Sequence, residues 1–184
     1  MIDRRRQILD AALRVFLKKG YGATRIEDIR KSSRASTGSI YHAFNGKEAI
    51  AAALFVEANQ GWSQATASAL AWAQGPDGPI RATVEGLIDW GLARPDQFRF
   101  MDDMRFLEPR LVSAAGMTDG QAPGAQAYRD QVRRGEVRDI PWTVARALIL
   151  GPAYDYLRRG AGAILANADD RRLLSEAAWG AVRA

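Results

Sequence analysis

Thr24 to Glu48 reads TRIEDIRKSSRASTGSIYHAFNGKE, a stretch that gathers hydroxyls, small residues and cations where helices would begin. Such a set breaks no bonds; it binds anions. A helix start presents unpaired backbone N–H groups, and hydroxyl and guanidinium groups add further donors. Thr24 opens a T-x-x-E capping box with Glu27, Ser36 is positioned to cap the brief helix TGSIYHAF, and Asn45 with Glu48 forms another box. The spacing predicts two short helices joined by a tight turn, followed at once by the start of a third. The Ser36-capped helix carries a small, polar outer side, as does a helix that enters a DNA major groove.

Each candidate contact has its own chemistry. Thr24 is placed to cap and to offer its hydroxyl or the adjacent N–H to a phosphate. Thr37, Gly38 and Ser39 start the reading helix, where small side chains let the backbone come close and hydroxyls bond bases or phosphates. His42 is the single histidine, so it has no partner for a metal site or an imidazole relay; on this helix it reads as a phosphate or base contact. Lys47, in the first turn of the next helix, opposes the helix dipole, which an external anion would explain. Arg25, Arg34 and Ser36 complete the set.

Charge agrees with this reading. Residues 1–47 hold eleven cations and four acids, a net of +7, whereas residues 48–184 hold fifteen arginines and seventeen acids, a net of −2. All four lysines lie in the first part and all five tryptophans in the second. A cationic block binds duplex DNA by releasing counterions, whatever the base sequence.

With 47% apolar residues the chain can bury a core, and with no cysteine it has neither disulfides nor thiolate metal sites. No nucleotide-binding loop, zinc spacing or nucleophile–histidine pair is present, so an enzyme is not expected, and no cofactor or metal is implied. Asp10 interrupts any signal-like apolar run, and the charge-free run 58–76 is too polar to span a membrane; a cytoplasmic protein is expected.

The elements that position these residues follow from helical periodicity. Helix one covers about 3–19 and ends at Gly20. Helix two, of two turns, turns Ile26 and Ile29 inward, and helix three covers about 37–43, with Ile40 and Phe44 packing on Ile26, Ile29 and Phe16. Longer helices follow at about 46–73, 79–93, 95–107, 124–134, 141–159 and 169–182, with a loop over 108–123. No stretch alternates as a strand does. The fold class is all-α: an N-terminal three-helix helix-turn-helix domain, residues 1–46, and a helical ligand-binding and dimerisation domain, residues 47–184, about nine helices in all.

The stretches ILDAALRVFLKKGYGATRIEDI and STGSIYHAFNGKEAI resemble the TetR family of bacterial transcriptional regulators, through G-Y-x-x-T, S-x-G-S-I-Y-x-x-F and the K-E that follows. The match spans about a quarter of the chain; the remainder agrees in size and in its run of helices. The resemblance implies a homodimer on a double-stranded DNA operator with two half-sites, a small-molecule effector, and Tyr41 on a phosphate. It also implies that the last two helices pair with their mates in a four-helix interface through Leu148, Ile149, Tyr156, Leu157, Leu173, Leu174, Ala177 and Ala178, with Gly151, Ala153, Gly160 and Ala161 allowing close approach. The chain departs from the family where alanine and glycine are usual in the turn and it has Ser33 and Arg34, where valine is usual and it has Ala35, and where a small residue is usual and it has Arg30. A non-glycine residue in the left-handed region costs on the order of 1 kcal/mol. Arg34 therefore strains the turn or changes its geometry, and both arginines can add phosphate contacts.

Trp62, Trp90, Phe98, Met101, Met104, Phe106 and Tyr128 are the candidate lining of an effector pocket, with Arg105 or Asp102 to orient the ligand. Their character points to an apolar or aromatic effector. The full expectation is a repressor released by that effector through a shift of the fourth helix; the alternative is a helix-turn-helix protein controlled by a protein partner.

Overall fold

The computed structural model describes residues 3–108, 119–160 and 168–184. Among these are nine α-helices and no strand: α1 Arg4–Lys19, α2 Ile26–Ser33, α3 Thr37–Ala43, α4 Lys47–Leu70, α5 Gly78–Ala93, α6 Pro95–Leu107, α7 Pro123–Arg133, α8 Trp142–Gly160 and α9 Ala168–Val182. A short 3-10 turn, Asp119–Gln121, precedes α7. Most of the loop expected over 108–123, and Ala161, lie outside the described residues.

Local chemistry sets the helix ends. The Asp3 side chain accepts the Arg5 N–H at 2.9 Å and caps α1, while Gly20, at φ 81°, closes it by donating its N–H to the Phe16 carbonyl at 2.8 Å. Proline stands in the first turn of α5 and of α7, where its missing N–H would have had no partner. Pro152 lies inside α8 without ending it.

The described chain packs as two compact units that divide inside α4. One holds the residues up to Asn59 and the segment from Asp96, and so includes α6; the other holds Gln60–Pro95 and the segment from Thr118.

In the first unit Ile8, Leu9, Ile29, Ile40, Ile50 and Phe55 are buried, each contributing about 1.5–3 kcal/mol. Ile26 is only half-buried. Phe16 stacks on Phe100 of α6, ring centres 5.6 Å apart and planes 20° from parallel. Arg6 of α1 bonds Asp10 at 2.5 Å and both oxygens of Glu57 at 2.7 and 2.6 Å, and Glu57 also accepts from Gln97 of α6 at 3.0 Å. One carboxylate thus joins α1, α4 and α6. Its neighbour Asp10 raises the Arg6 pKa above the usual arginine value, burial opposes this, and Glu57 adds to it.

In the second unit α5 is central and packs against α7, α8 and α9. A Cβ at Gly86 would stand 2.8 Å from the Thr66 Cα of α4, and one at Gly124 would stand 2.5 Å from the Thr83 Cγ2. These glycines let α4 and α7 approach α5 at near-backbone distance. The chain end is tied down by the Arg138 N–H, which donates to the Val182 carbonyl at 2.8 Å.

Candidate nucleic-acid interface

Helix α3 is rooted by Ile40, which is fully buried, and capped by Ser36, whose Oγ accepts the Ser39 N–H at 3.1 Å and lies 2.8 Å from the Ser39 hydroxyl. Its outer side carries Thr37, Gly38, Tyr41 and His42, all exposed, with Tyr41 at 57%. Ser39 is half-buried.

The turn before α3 places Arg34 at φ 54°, ψ 22°, the one non-glycine residue among those described with a positive φ. The resemblance puts glycine here, and the backbone keeps the left-handed geometry despite the arginine. Ser33 secures it: the buried hydroxyl donates to the Arg30 carbonyl and accepts the Ala35 N–H, each at 3.3 Å. The Arg34 side chain is left exposed.

Thr24 is not the cap of α2. It is buried, and its hydroxyl donates to the Gly20 carbonyl at 2.8 Å, so that hydroxyl is not presented to a phosphate. The box lies one residue later, with the Arg25 N–H donating to Asp28 Oδ2 at 3.0 Å. Lys19 reaches the other Asp28 oxygen at 2.5 Å; Lys19 first, and the Arg25 N–H second, hold this carboxyl below its usual range. Glu27 faces outward and binds Arg30 at 2.7 and 2.8 Å, which likewise lowers its pKa. Arg30 is therefore shared with an acid, whereas Arg25 and Arg34 project from the surface.

Lys47 has an internal partner. Its Nζ donates to the Tyr21 carbonyl at 3.0 Å. α4 starts at Lys47, with Gly46 at φ 98° between it and Asn45.

The expected effector lining is divided. Phe98, Met101 and Met104 are buried in the first unit, Arg105 is half-buried there, and Phe106 is exposed on it. Trp62, Trp90 and Tyr128 are buried in the second. The Tyr128 hydroxyl lies 2.7 Å from the Arg138 carbonyl and accepts the Ile140 N–H at 3.2 Å, a structural tie. Trp62 of the expected set lines a cleft in the second unit, in company with Thr66 and Trp142, which the sequence did not single out.

The expected interface also divides. Ile149, Leu157 and Ala178 are buried inside the subunit and offer almost no surface to a partner, contrary to the expectation. Leu157 Cδ1 lies 2.7 Å from where a Cβ on Gly91 of α5 would stand. Leu148, Leu173 and Ala177 are exposed, Tyr156 and Leu174 half-buried, and Val144, Gly151 and Pro152 extend the exposed side of α8.

A short, exposed, small-residue helix behind a left-handed turn, flanked by cations, is the reading element of a helix-turn-helix DNA-binding protein. The family model of bacterial regulatory proteins, tetR family, matches residues 8–54. An HTH-type transcriptional repressor of Mycobacterium tuberculosis is 30% identical over 181 residues, 94% of this chain and 87% of that protein. A TetR family transcription regulator of Marinobacter aquaeolei VT8 shares the fold at TM-score 0.82 and 20% identity, over 98% of this chain and 95% of that one. A tetR-family regulatory protein of Rhodococcus RHA1 does so at 0.80 and 20%, over 100% and 98%. The chain belongs to the tetR family: it is a DNA-binding transcriptional regulator and not an enzyme. Among the described residues no helix is long and apolar enough to cross a membrane.

Proposed function

We propose that this regulator is a cytoplasmic repressor that binds a two-fold operator as a homodimer and leaves it when a small molecule binds the second unit. The observation that carries the reading is the outer side of α3: Thr37, Gly38, Tyr41 and His42 project from a helix fixed by one buried isoleucine. Ser36, Ser39, Arg25 and Arg34 surround it with phosphate-binding chemistry, and Lys47 can still give two of its three N–H donors to a phosphate.

A single short reading helix covers too few bases for specificity, and a two-fold partner doubles them. The exposed apolar side of α8 and α9, with Val144, Leu148 and Leu173, supports such a partner. The name of the mycobacterial relative supports repression. α4 contributes residues to both units, which makes it the natural carrier of a ligand-induced shift. The ligand must bind the released state better, and full release from a DNA-ready dimer needs an affinity ratio of about 10⁴.

Selection of genomic duplexes with the full chain, followed by anisotropy titration of the enriched sequence at several salt concentrations, tests this. A palindromic site, two chains per duplex and a steep salt dependence are expected. One chain per duplex, or no enriched sequence, would overturn it. An operator response to a protein partner alone would replace the effector part of the reading.

A further inference from the structure

We infer that the Arg5 guanidinium binds a backbone phosphate of DNA at the trailing end of α3, across the groove from Arg34 at its leading end. Residues 4–6 are three consecutive arginines in the first turn of α1. Successive side chains of a helix point about 100° apart, so the three meet different surroundings. Arg6 is engaged by Asp10 and Glu57 inside the first unit. Arg4 lies along its own helix and donates to the Gln7 side chain at 2.8 Å. Arg5 turns to the end of α3: its guanidinium carbon lies 4.9 Å from the centre of the Phe44 ring.

That contact positions the cation and leaves its donors open. Phe44 is buried, and its N–H donates to the Ile40 carbonyl at 2.8 Å, so the ring is tied to the last turn of α3. A cation within about 6 Å of a ring centre is held by the ring face, which takes none of the five guanidinium N–H donors. The nearby Asp3 carboxylate accepts the Arg5 backbone N–H. Among the described residues no carboxylate or carbonyl accepts from the Arg5 guanidinium, and the side chain is exposed. Arg5 is thus an oriented cation whose hydrogen bonds are left for an outside anion.

Dimensions say which anion. α3 has seven residues and is about 10 Å long, and the major groove of DNA is about 12 Å wide. With the outer side of α3 in the groove, both its ends come within side-chain reach of the sugar-phosphate walls. Arg34 stands in the turn before Thr37, and Arg5 stands over the residue that follows Ala43. A guanidinium fork matches a phosphate, and such a contact fixes the register of α3 without reading bases. The inference rests on the docking of α3 proposed above, and on neither a two-fold partner nor an effector.

The test is anisotropy titration of the full chain over a range of salt. The probes are the duplex it enriches from random-sequence DNA and a mixed-sequence duplex. Arg5→Ala should weaken binding of the enriched duplex about tenfold, and equally for single-base variants of it. The slope of log K against log salt should fall by about 0.9 for each bound chain on both probes, and Arg5→Lys should keep it. Arg14→Ala is the control: it removes the same charge from an exposed site nine residues further along α1, on the opposite side of the helix. It should leave affinity and slope near those of the parent. Replacing single phosphates of the enriched duplex by methylphosphonate should find one per bound chain whose loss weakens the parent and not Arg5→Ala. Equal effects of Arg5→Ala and Arg14→Ala would overturn the inference, because a diffuse field explains both. So would a loss that varies with the base variant, or equal sensitivity of parent and Arg5→Ala at every phosphate. A slope lowered by Arg34→Ala and not by Arg5→Ala would uphold the docking of α3 and remove Arg5; a slope lowered by neither would remove the docking as well.

Discussion

The Nζ of Lys47 lies 4.4 Å from the centre of the Tyr21 ring while it donates to the carbonyl of that same residue at 3.0 Å. The contact fastens the start of α4 to the loop that follows α1. It also answers, from inside the chain, the question of what holds a cation at the positive end of a helix.

Tyr21 is buried in this contact, and burial first, then the carboxylates of Glu48 and Glu108, push its phenol up to about 12. The ordinary value is near 10. The folded state holds the proton more tightly, so this stability is complete below about pH 10 and is lost as pH rises to about 12. Tyr21→Phe keeps the ring against Phe16 and removes the titration. Urea unfolding of both proteins from pH 9 to 12 should show the parent losing on the order of 1–2 kcal/mol more than the variant. Parallel curves would show that the phenol is solvated in the folded chain.

Arg34 carries two separable properties, a left-handed backbone and an exposed charge. Arg34→Gly relieves a conformational cost of about 1–2 kcal/mol, offset in part by the entropy glycine loses on folding, about 0.5–1 kcal/mol. A net gain of no more than about 1 kcal/mol is expected in urea. Arg34→Ala keeps a Cβ in the same geometry and should not be stabilised. If Arg34 meets a phosphate, both variants should lower the slope of log K against log salt by about one. An unchanged slope in both would remove Arg34 from the DNA contacts.

The helices and the turn were legible because their signals are local. The 3.6-residue recurrence of Ile8, Leu9, Ala12 and Phe16 needs one buried face, and Gly20 ends the helix by a backbone geometry glycine favours. The α2 cap was misread by one residue because Thr24/Glu27 and Arg25/Asp28 both fit a four-residue box. The choice was made by burial of Thr24 beneath the Gly20 carbonyl, which no local pattern reports. The α8 stripe held a similar ambiguity: Leu148 and Ile149 are neighbours about 100° apart, and only packing on α5 shows that one is covered within the subunit and the other is not. The cleft was least legible. Its walls of Trp62, Thr66, Trp142 and Leu150 come from helices far apart in the chain and meet only once α4, α7 and α8 have packed with α5.

Gly38 separates a demand of folding from a demand of binding. A Cβ there would meet only the Ser36 Oγ, at 3.9 Å, so the free chain has room for alanine. Alanine should raise stability by up to about 1 kcal/mol through helix propensity. On DNA the added methyl would hold the α3 backbone away from the groove, and operator affinity should fall at least about tenfold by anisotropy. Full affinity in Gly38→Ala would mean that the backbone here does not approach the duplex closely.

The exposed side of α8 and α9 can be tested without disturbing the core behind it. Leu148 is 38% exposed and Leu173 is 54% exposed, while Ile149 is buried against the subunit interior. Burying glutamate in an apolar interface leaves a charge without a partner, so Leu148→Glu with Leu173→Glu should convert a dimer to monomer in sedimentation velocity. The urea midpoint of the isolated subunit should change little, because neither leucine is in its core. Ile149→Ala should do the opposite, costing about 2–5 kcal/mol of folding stability. Operator affinity of the double glutamate variant should fall and lose its two-chain stoichiometry. A double variant that sediments as a dimer and binds operator as the parent does would move the subunit interface elsewhere on the second unit.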